Sequence, residues 1–98
     1  MKKILVIGCG GIGSFLIPLL NRVKIYDITV YDPDVVESKN LLYQNFTPTD
    51  VNTLKVEVMD KYETVNKAEP YPILTKSQVE GYDLVICCAD NLAVRKML

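Results

Sequence analysis

Two hydrophobic periods share this chain. Ile4-Leu5-Val6-Ile7 is a short unbroken apolar run ended by glycine, the pattern of a buried strand, and Ile12, Phe15, Leu16 and Leu19 then recur at helical spacing. A helix is expected from about Ile12 to Arg22, bent or weakened by Pro18, which removes a backbone hydrogen bond. Ile25 to Tyr31 reads as a second strand, stopped by Asp32-Pro33-Asp34. Val35 to Phe46 has no clean period and is expected to be an irregular functional loop. Thr47-Pro48-Thr49-Asp50 carries the signals of a helix start. Val51, Leu54, Val58, Tyr62 and Val65 follow at spacings of three and four, which predicts a helix to about residue 65, with Lys55, Glu57 and Lys61 mostly off its apolar face. Pro70 to Thr75 resembles a third strand, confined by its prolines to a sheet edge. Gln78 to Gly81 reads as a turn. Asp83 to Ala89 is apolar without alternation, as in a parallel strand covered on both faces, and Asp90-Asn91 would cap a last helix, Leu92 to Leu98.

With right-handed crossovers, this order gives a three-layer α/β domain of half the usual size, with about four parallel strands in spatial order 3-2-1-4. Gly8, Gly10, Gly11, Gly13, Asp32 and Asp90 then lie at the carboxyl ends of strands and face one crevice. The spacing Gly8-x-Gly10-x-x-Gly13 has a mechanical meaning. The first glycine allows a tight turn, the second lets backbone approach a phosphate, and the third lets helix and strand pack closely. Asp32, nineteen residues after Gly13, stands where a dinucleotide fold places the acid that accepts from a ribose hydroxyl. A strand-end Asx turn before Pro33 is the plainer alternative.

Composition narrows the classes. At 98 residues there is one small domain, able to bury roughly two-thirds of its unfolded surface. A net charge of −1, with both signs scattered, gives no attraction to nucleic acid or anionic membrane. No apolar run approaches the ~20 residues of a membrane span, and Met1-Lys2-Lys3 leads straight into a strand rather than a cleavable signal, so a cytoplasmic protein is expected. Cys9, Cys87 and Cys88 lack the number for a disulfide framework and the spacing for zinc, and read as small apolar fillers. The chain has no histidine, which excludes histidine general bases, triads and imidazole ligands.

Four pieces taken together are more specific than the glycines: G-C-G-G-I-G at 8–13, D-P-D-V-V-E-S-K-N-L-L-Y-Q at 32–44, D-V-N-T-L-K at 50–55 and C-C-A-D-N-L-A-V-R at 87–95. They resemble the adenylation domain of ThiF/MoeB-type and ubiquitin-activating enzymes, which show G-x-G-G-x-G, D-x-D-x-V-x-x-S-N-L-x-R-Q, D-x-G-x-x-K and C-T-D-N-x-x-x-R. The resemblance covers nearly the whole chain but about the first half of a family domain. It implies a Rossmann-like fold, Mg2+ and ATP in the crevice, and adenylation of the C-terminal carboxylate of a ubiquitin-like or sulfur-carrier partner. By the same resemblance, Gly8 to Gly13 would offer N–H groups, Asp32 the ribose contact and Lys55 a charge on the phosphates. Asp90 would hold magnesium, while Asn40, Gln44, Asn91 and Arg95 would complete the polar shell. Lys55, Asp90 and Asn40 are the residues it assigns to the chemistry.

Taken singly, each has a plain structural reading: Lys55 a solvated helix lysine, Asp90 a helix cap, Asn40 a loop residue. Two other functions stay open. An NAD- or FAD-binding domain would explain Gly8, Gly10, Gly13 and Asp32 and leave Asn40, Lys55 and Asp90 as coincidences. A non-catalytic interaction module is suggested by Tyr43, which stands where the family carries a phosphate-binding arginine, since a phenol is no permanent cation. The chain is accordingly expected to be the N-terminal half of a longer domain or a reduced relative. The apolar edge strand Leu84 to Ala89 is expected to pair with a second copy, giving a homodimer.

Overall fold

The computed structural model describes residues 2–89; the expected helix Leu92 to Leu98, with Asp90, Asn91 and Arg95, lies outside the described residues. Among the described residues, strands β1 (Lys2–Ile7), β2 (Tyr26–Tyr31), β3 (Val65–Glu69) and β4 (Leu84–Cys87) form a parallel sheet in order β3-β2-β1-β4, the expected order of a Rossmann-like α/β fold. β1 pairs in unbroken register with β2 from Lys2↔Tyr26 to Ile7↔Tyr31 and with β4 from Ile4↔Leu84 to Ile7↔Cys87.

The period-two alternation of β1 and β2 sorts their side chains onto two faces. Ile4, Val6, Ile28 and Val30 point to one side, where Ile17 of helix α1 (Gly13–Val23) and Val36, Val56 and Met59 cover them. Leu5, Ile7 and Tyr31 point to the other, against Ile73, Val79 and Tyr82. Both faces of β1 are sealed, so its carboxyl end is rigidly placed. No helix of the described residues is long and apolar enough to cross a membrane.

Helix α1 runs through Pro18 and ends at Lys24, whose φ of 64° closes it in the left-handed region. Its orientation reverses the simple reading of its apolar spacing. Ile12, Phe15 and Leu19 are exposed, while Gly13, Ser14 and Ile17 face the sheet. Small residues are needed where the helix start abuts the strand end, and that puts the bulkier row outside.

The helix expected over 47–65 does not form. A capping box at Thr47 and Asp50 starts one 3-10 turn, Pro48–Asp50, and Asn52 then takes φ 72°. Leu54 is extended and bridges Val35, with Val36 N–H donating to Thr53 O at 2.8 Å and Asn52 N–H to Val36 O at 2.8 Å. This long-range pairing satisfies the backbone groups a helix would have used, so tertiary contact overrides the helical period. Only α2 (Lys55–Met59) remains helical, burying Val56, Val58 and Met59.

The third strand lies earlier than expected. Val65–Glu69 pairs with β2, while Pro70 to Thr75 is irregular and anchored on the second face by buried Ile73. Val65-Asn66-Lys67-Ala68-Glu69 carries little strand signal because it is a short, charged edge, a composition that also discourages pairing with another chain. The last strand packs on both faces, Ile86 against one core cluster and Val85 and Cys87 against the other, but among the described residues these three are half-buried and Leu84 is exposed.

Candidate functional site

The site begins at the end of β1, where the chain must turn sharply and return as a helix. Gly8 has φ +93°, a region costly to other L-residues, and its N–H donates to Tyr31 O at 2.8 Å. Gly13 is fixed by proximity. A Cβ there would sit 2.0 Å from Gly8 O, so no side chain fits. Gly13 seats the helix on the strand and does not line the cavity, whereas Gly8, Gly10 and Gly11 do. The turn expected of Gly8 and the close packing expected of Gly13 therefore hold in the geometry.

Asp32, just past the end of β2, is buried and forms the strand-end Asx turn that the sequence offered as the plainer alternative. Its Oδ1 accepts Asp34 N–H at 2.8 Å, which is the Asx turn, and its Oδ2 accepts Cys9 N–H at 2.8 Å across the crevice. The carboxylate ties the glycine turn to the next loop while still lining the cavity. Both oxygens keep lone pairs for a further donor.

Cys9 lies fully buried beside it. Burial first, then the Asp32 charge and hydrogen bond, push its thiol up, against a smaller opposing pull from Lys55. The Cys88 thiol is pushed up by burial and then by Cys87. Neither is a poised thiolate, in keeping with the filler reading.

The loop from Val35 to Phe46 is more ordered than its sequence suggests. Ser38–Leu42 is a 3-10 turn opened by a capping box between Glu37 and Asn40, in which Asn40 Oδ1 accepts Glu37 N–H at 2.8 Å. Buried Asn40 thus shapes the turn and lines a second cavity rather than the one beside the glycines. Gln44 packs its amide 3.5 Å from where a Cβ on Gly10 would lie, lines both cavities, and keeps Oε1 buried without a partner among the described residues. Tyr43 also lines both and is exposed.

Two residues that sequence reasoning missed fasten this loop. Buried Ser14 donates its hydroxyl to Gly10 O and accepts Asn45 N–H at 2.9 Å, and Asn45 Nδ2 donates to Ser14 O at 3.1 Å. The available signal was a serine on the inward face of an otherwise apolar helix start.

Lys55 departs most from its plain reading. It is 6 % exposed, opens α2, and its backbone N–H donates to Asp34 O at 3.0 Å. It lines both the cavity of about 540 Å³ beside the glycines and the neighbouring one of about 510 Å³. The ion pairs among the described residues are Lys24–Glu63 and Lys39–Glu37, so Lys55 has no carboxylate partner there. A buried cation without a partner is costly and marks a place where an anion is expected. The structure therefore brings Gly8, Gly10, Gly11, Asp32, Gln44 and Lys55 together around one cavity and sets Asn40 at its neighbour. No group of three or more metal-ligating side chains occurs among the described residues, and Asp90 lies outside them.

A family model described as the ThiF family matches residues 1–98. The chain is 38% identical to the adenylyltransferase and sulfurtransferase UBA4 of Yarrowia lipolytica, over 99% of this chain and 27% of that protein. It is 34% identical to UBA4 of Candida albicans, over 99% of this chain and 24% of that protein. It therefore spans about a quarter of the length of these relatives. Among solved structures, the E. coli tRNA N6-threonylcarbamoyladenosine dehydratase TcdA superposes with a TM-score of 0.79 at 28% identity, covering 93% of this chain and 42% of that one. E. coli MccB, solved with ATP, superposes with a TM-score of 0.76 at 27% identity, covering 92% of this chain and 30% of that one.

Proposed function

The chain belongs to the ThiF family, and on that premise we propose that it is the Mg·ATP-binding part of an adenylyltransferase that activates the C-terminal carboxylate of a ubiquitin-like or sulfur-carrier protein. The observation that carries this reading is Lys55, a buried cation without an ion pair among the described residues, set between the glycine turn and a second cavity.

In the proposed reaction a carboxylate oxygen attacks the α-phosphorus. The bond from that phosphorus to the bridging oxygen breaks, and an acyl-adenylate and pyrophosphate result. Negative charge builds on the phosphate oxygens as this happens, so donors placed beforehand favour the transition state. The backbone at Gly10 and Gly11 borders the cavity closely enough to offer N–H groups, and Lys55 brings a fixed positive charge to the same space. Asp32 lines the same cavity, and its carboxylate would serve as acceptor for a ribose hydroxyl. Magnesium would shield the polyphosphate when bound. Asp34 lines both cavities and suits such an ion in chemistry, and Asp90 is the residue assigned to it by resemblance.

UBA4 relatives of adenylyltransferase and sulfurtransferase name and an ATP complex of MccB support this choice of substrate class. Calorimetry with ATP, with and without magnesium, and with NAD tests it. ATP binding that is weakened by Lys55→Ala is expected, whereas tight NAD or FAD binding without ATP binding would mean a dinucleotide domain. ATP–pyrophosphate exchange with a candidate carrier protein separates an active enzyme from an interaction module.

Self-association as a homodimer belongs to the same reading. Among the described residues β4 has no neighbour on its outer side, and Ile12, Phe15, Leu19 and Val23 form an exposed apolar row on α1. Sedimentation at micromolar concentration should give twice the 11.0 kDa chain mass; a monomer would remove this part of the proposal.

A further inference from the structure

We propose that Lys39 supplies a second cation to the polyphosphate, so that the site prefers ATP to AMP by means of one buried and one rim lysine. The inference rests on the nucleotide reading above and concerns a residue that the sequence motifs leave unassigned.

The two cavities adjoin, sharing Pro33, Asp34, Tyr43, Gln44 and Lys55 in their walls. A chain of phosphates that starts at the glycine turn and passes Lys55 continues into the second cavity. The positively charged side chains lining the pair, among the described residues, are Lys55 in both and Lys39 in the second. A triphosphate of roughly three to four negative charges is poorly matched by one lysine. Lys39 and Tyr43 stand four residues apart, on and at the end of the same 3-10 turn Ser38–Leu42, and both line the second cavity. A phenol such as that of Tyr43 is never a cation, so positive charge on this turn comes from Lys39.

The surroundings of Lys39 suit a cation that can be handed over. Its Nζ lies 3.2 Å from Glu37 Oε2, with both side chains largely exposed, so water and salt weaken the pair. Glu37 is held in place through its reciprocal bonds with Asn40, while the lysine stem is free to swing. Glu37 therefore acts as a competitor for the ammonium that a more highly charged phosphate can displace. AMP, with a single phosphate, is satisfied at the glycine turn and Lys55 and does not reach this far.

The experiment is calorimetry of the 98-residue chain with ATP and with AMP, for the wild type, Lys39→Met, Glu37→Gln and the double variant Lys39→Met with Tyr43→Arg. Lys39→Met is expected to weaken ATP about five- to tenfold and leave AMP within about twofold, because one exposed charge-assisted contact is lost. Glu37→Gln should tighten ATP by about two- to threefold, and Tyr43→Arg should restore ATP affinity to Lys39→Met. Melting curves within about 2 °C of wild type would show that these exposed positions leave the fold intact. Equal loss for ATP and AMP, or no loss for ATP, overturns the assignment of Lys39. A wild-type chain that binds neither nucleotide overturns instead the nucleotide reading on which it rests.

Discussion

Residues 8 to 13 and residues 34 to 45 form opposite walls of one cavity, yet they are held in different ways. The first wall is built of backbone. Gly8 turns at φ +93°, and Gly13 lies so close to Gly8 O that only hydrogen fits between them. The second wall is held by fastenings to distant parts of the chain: the side chains of Asp32 and Asn45 to the backbone of Cys9 and Ser14, and the backbone bridge Val35–Leu54. A wall of the first kind fails all at once, and one of the second kind loosens contact by contact. The cavity pairs a rigid side with an adjustable one.

The largest expected effect comes from breaking the first wall. Gly13→Ala would gain roughly 1 kcal/mol of helix propensity, but the clash with the Gly8 carbonyl forces strand and helix apart. We expect a net loss of about 3 kcal/mol or more, read as a drop in urea midpoint or as insoluble protein. A neutral Gly13→Ala would mean that the two elements are not in tight contact.

Next comes the cation between the walls. Lys55→Met removes a buried charge and keeps the stem's volume. Nucleotide affinity should fall about a hundredfold, equal to about 2.7 kcal/mol, while stability without nucleotide rises by about 1 kcal/mol or more. Titration and thermal melting of the same sample check both. A fall in both together would point to a structural lysine.

Ser14→Ala acts chiefly on the second wall, by cutting the tie from Asn45 to the helix start. It leaves the Asn45 N–H without its acceptor, while the Gly10 carbonyl keeps the Ser14 N–H, and should cost about 1–2 kcal/mol. Hydrogen exchange should quicken over residues 38–45 and remain slow in β1. Uniform quickening would show that the walls are not separable.

Local geometry and distant capture also decide what could be read along the chain. The turn at Gly8, the close approach at Gly13 and the Asx turn at Asp32 were legible because each is encoded within a few residues. Lys55 was legible as a candidate site residue only through the company of its motifs. Its burial was not legible, because the extended segment around Leu54 pairs with Val35, nineteen residues away, and breaks a convincing helical period. β3 was missed because edge strands are kept short and charged, and Pro70 to Thr75 offered a more apolar decoy. Ser14 and Asn45 gave almost no signal, since a serine in a first helical turn is commonplace.

The smallest effect tests that capture. Asn52 holds φ 72° at the point where the helical period is abandoned. Asn52→Gly should stay within about 0.5 kcal/mol of wild type, and Asn52→Ala should cost about 1 kcal/mol. If alanine is tolerated without loss, the helix over 47–65 competes with the observed pairing after all, and circular dichroism would register the added helix.

The burial of Cys9 turns this site into a clock. A thiol that is fully enclosed and pushed up in pKa reacts with an alkylating reagent only after the glycine turn and Asp32 part company, since the hydrogen bond from Cys9 N–H to Asp32 spans that gap. The rate at which Cys9 takes up label, in a chain where Cys87 and Cys88 have been replaced, is then the opening rate of the crevice itself or its equilibrium, depending on reagent concentration. Anything that bridges the turn and the loop slows that clock, so occupancy can be timed without a chromophore on the ligand and without any product being formed.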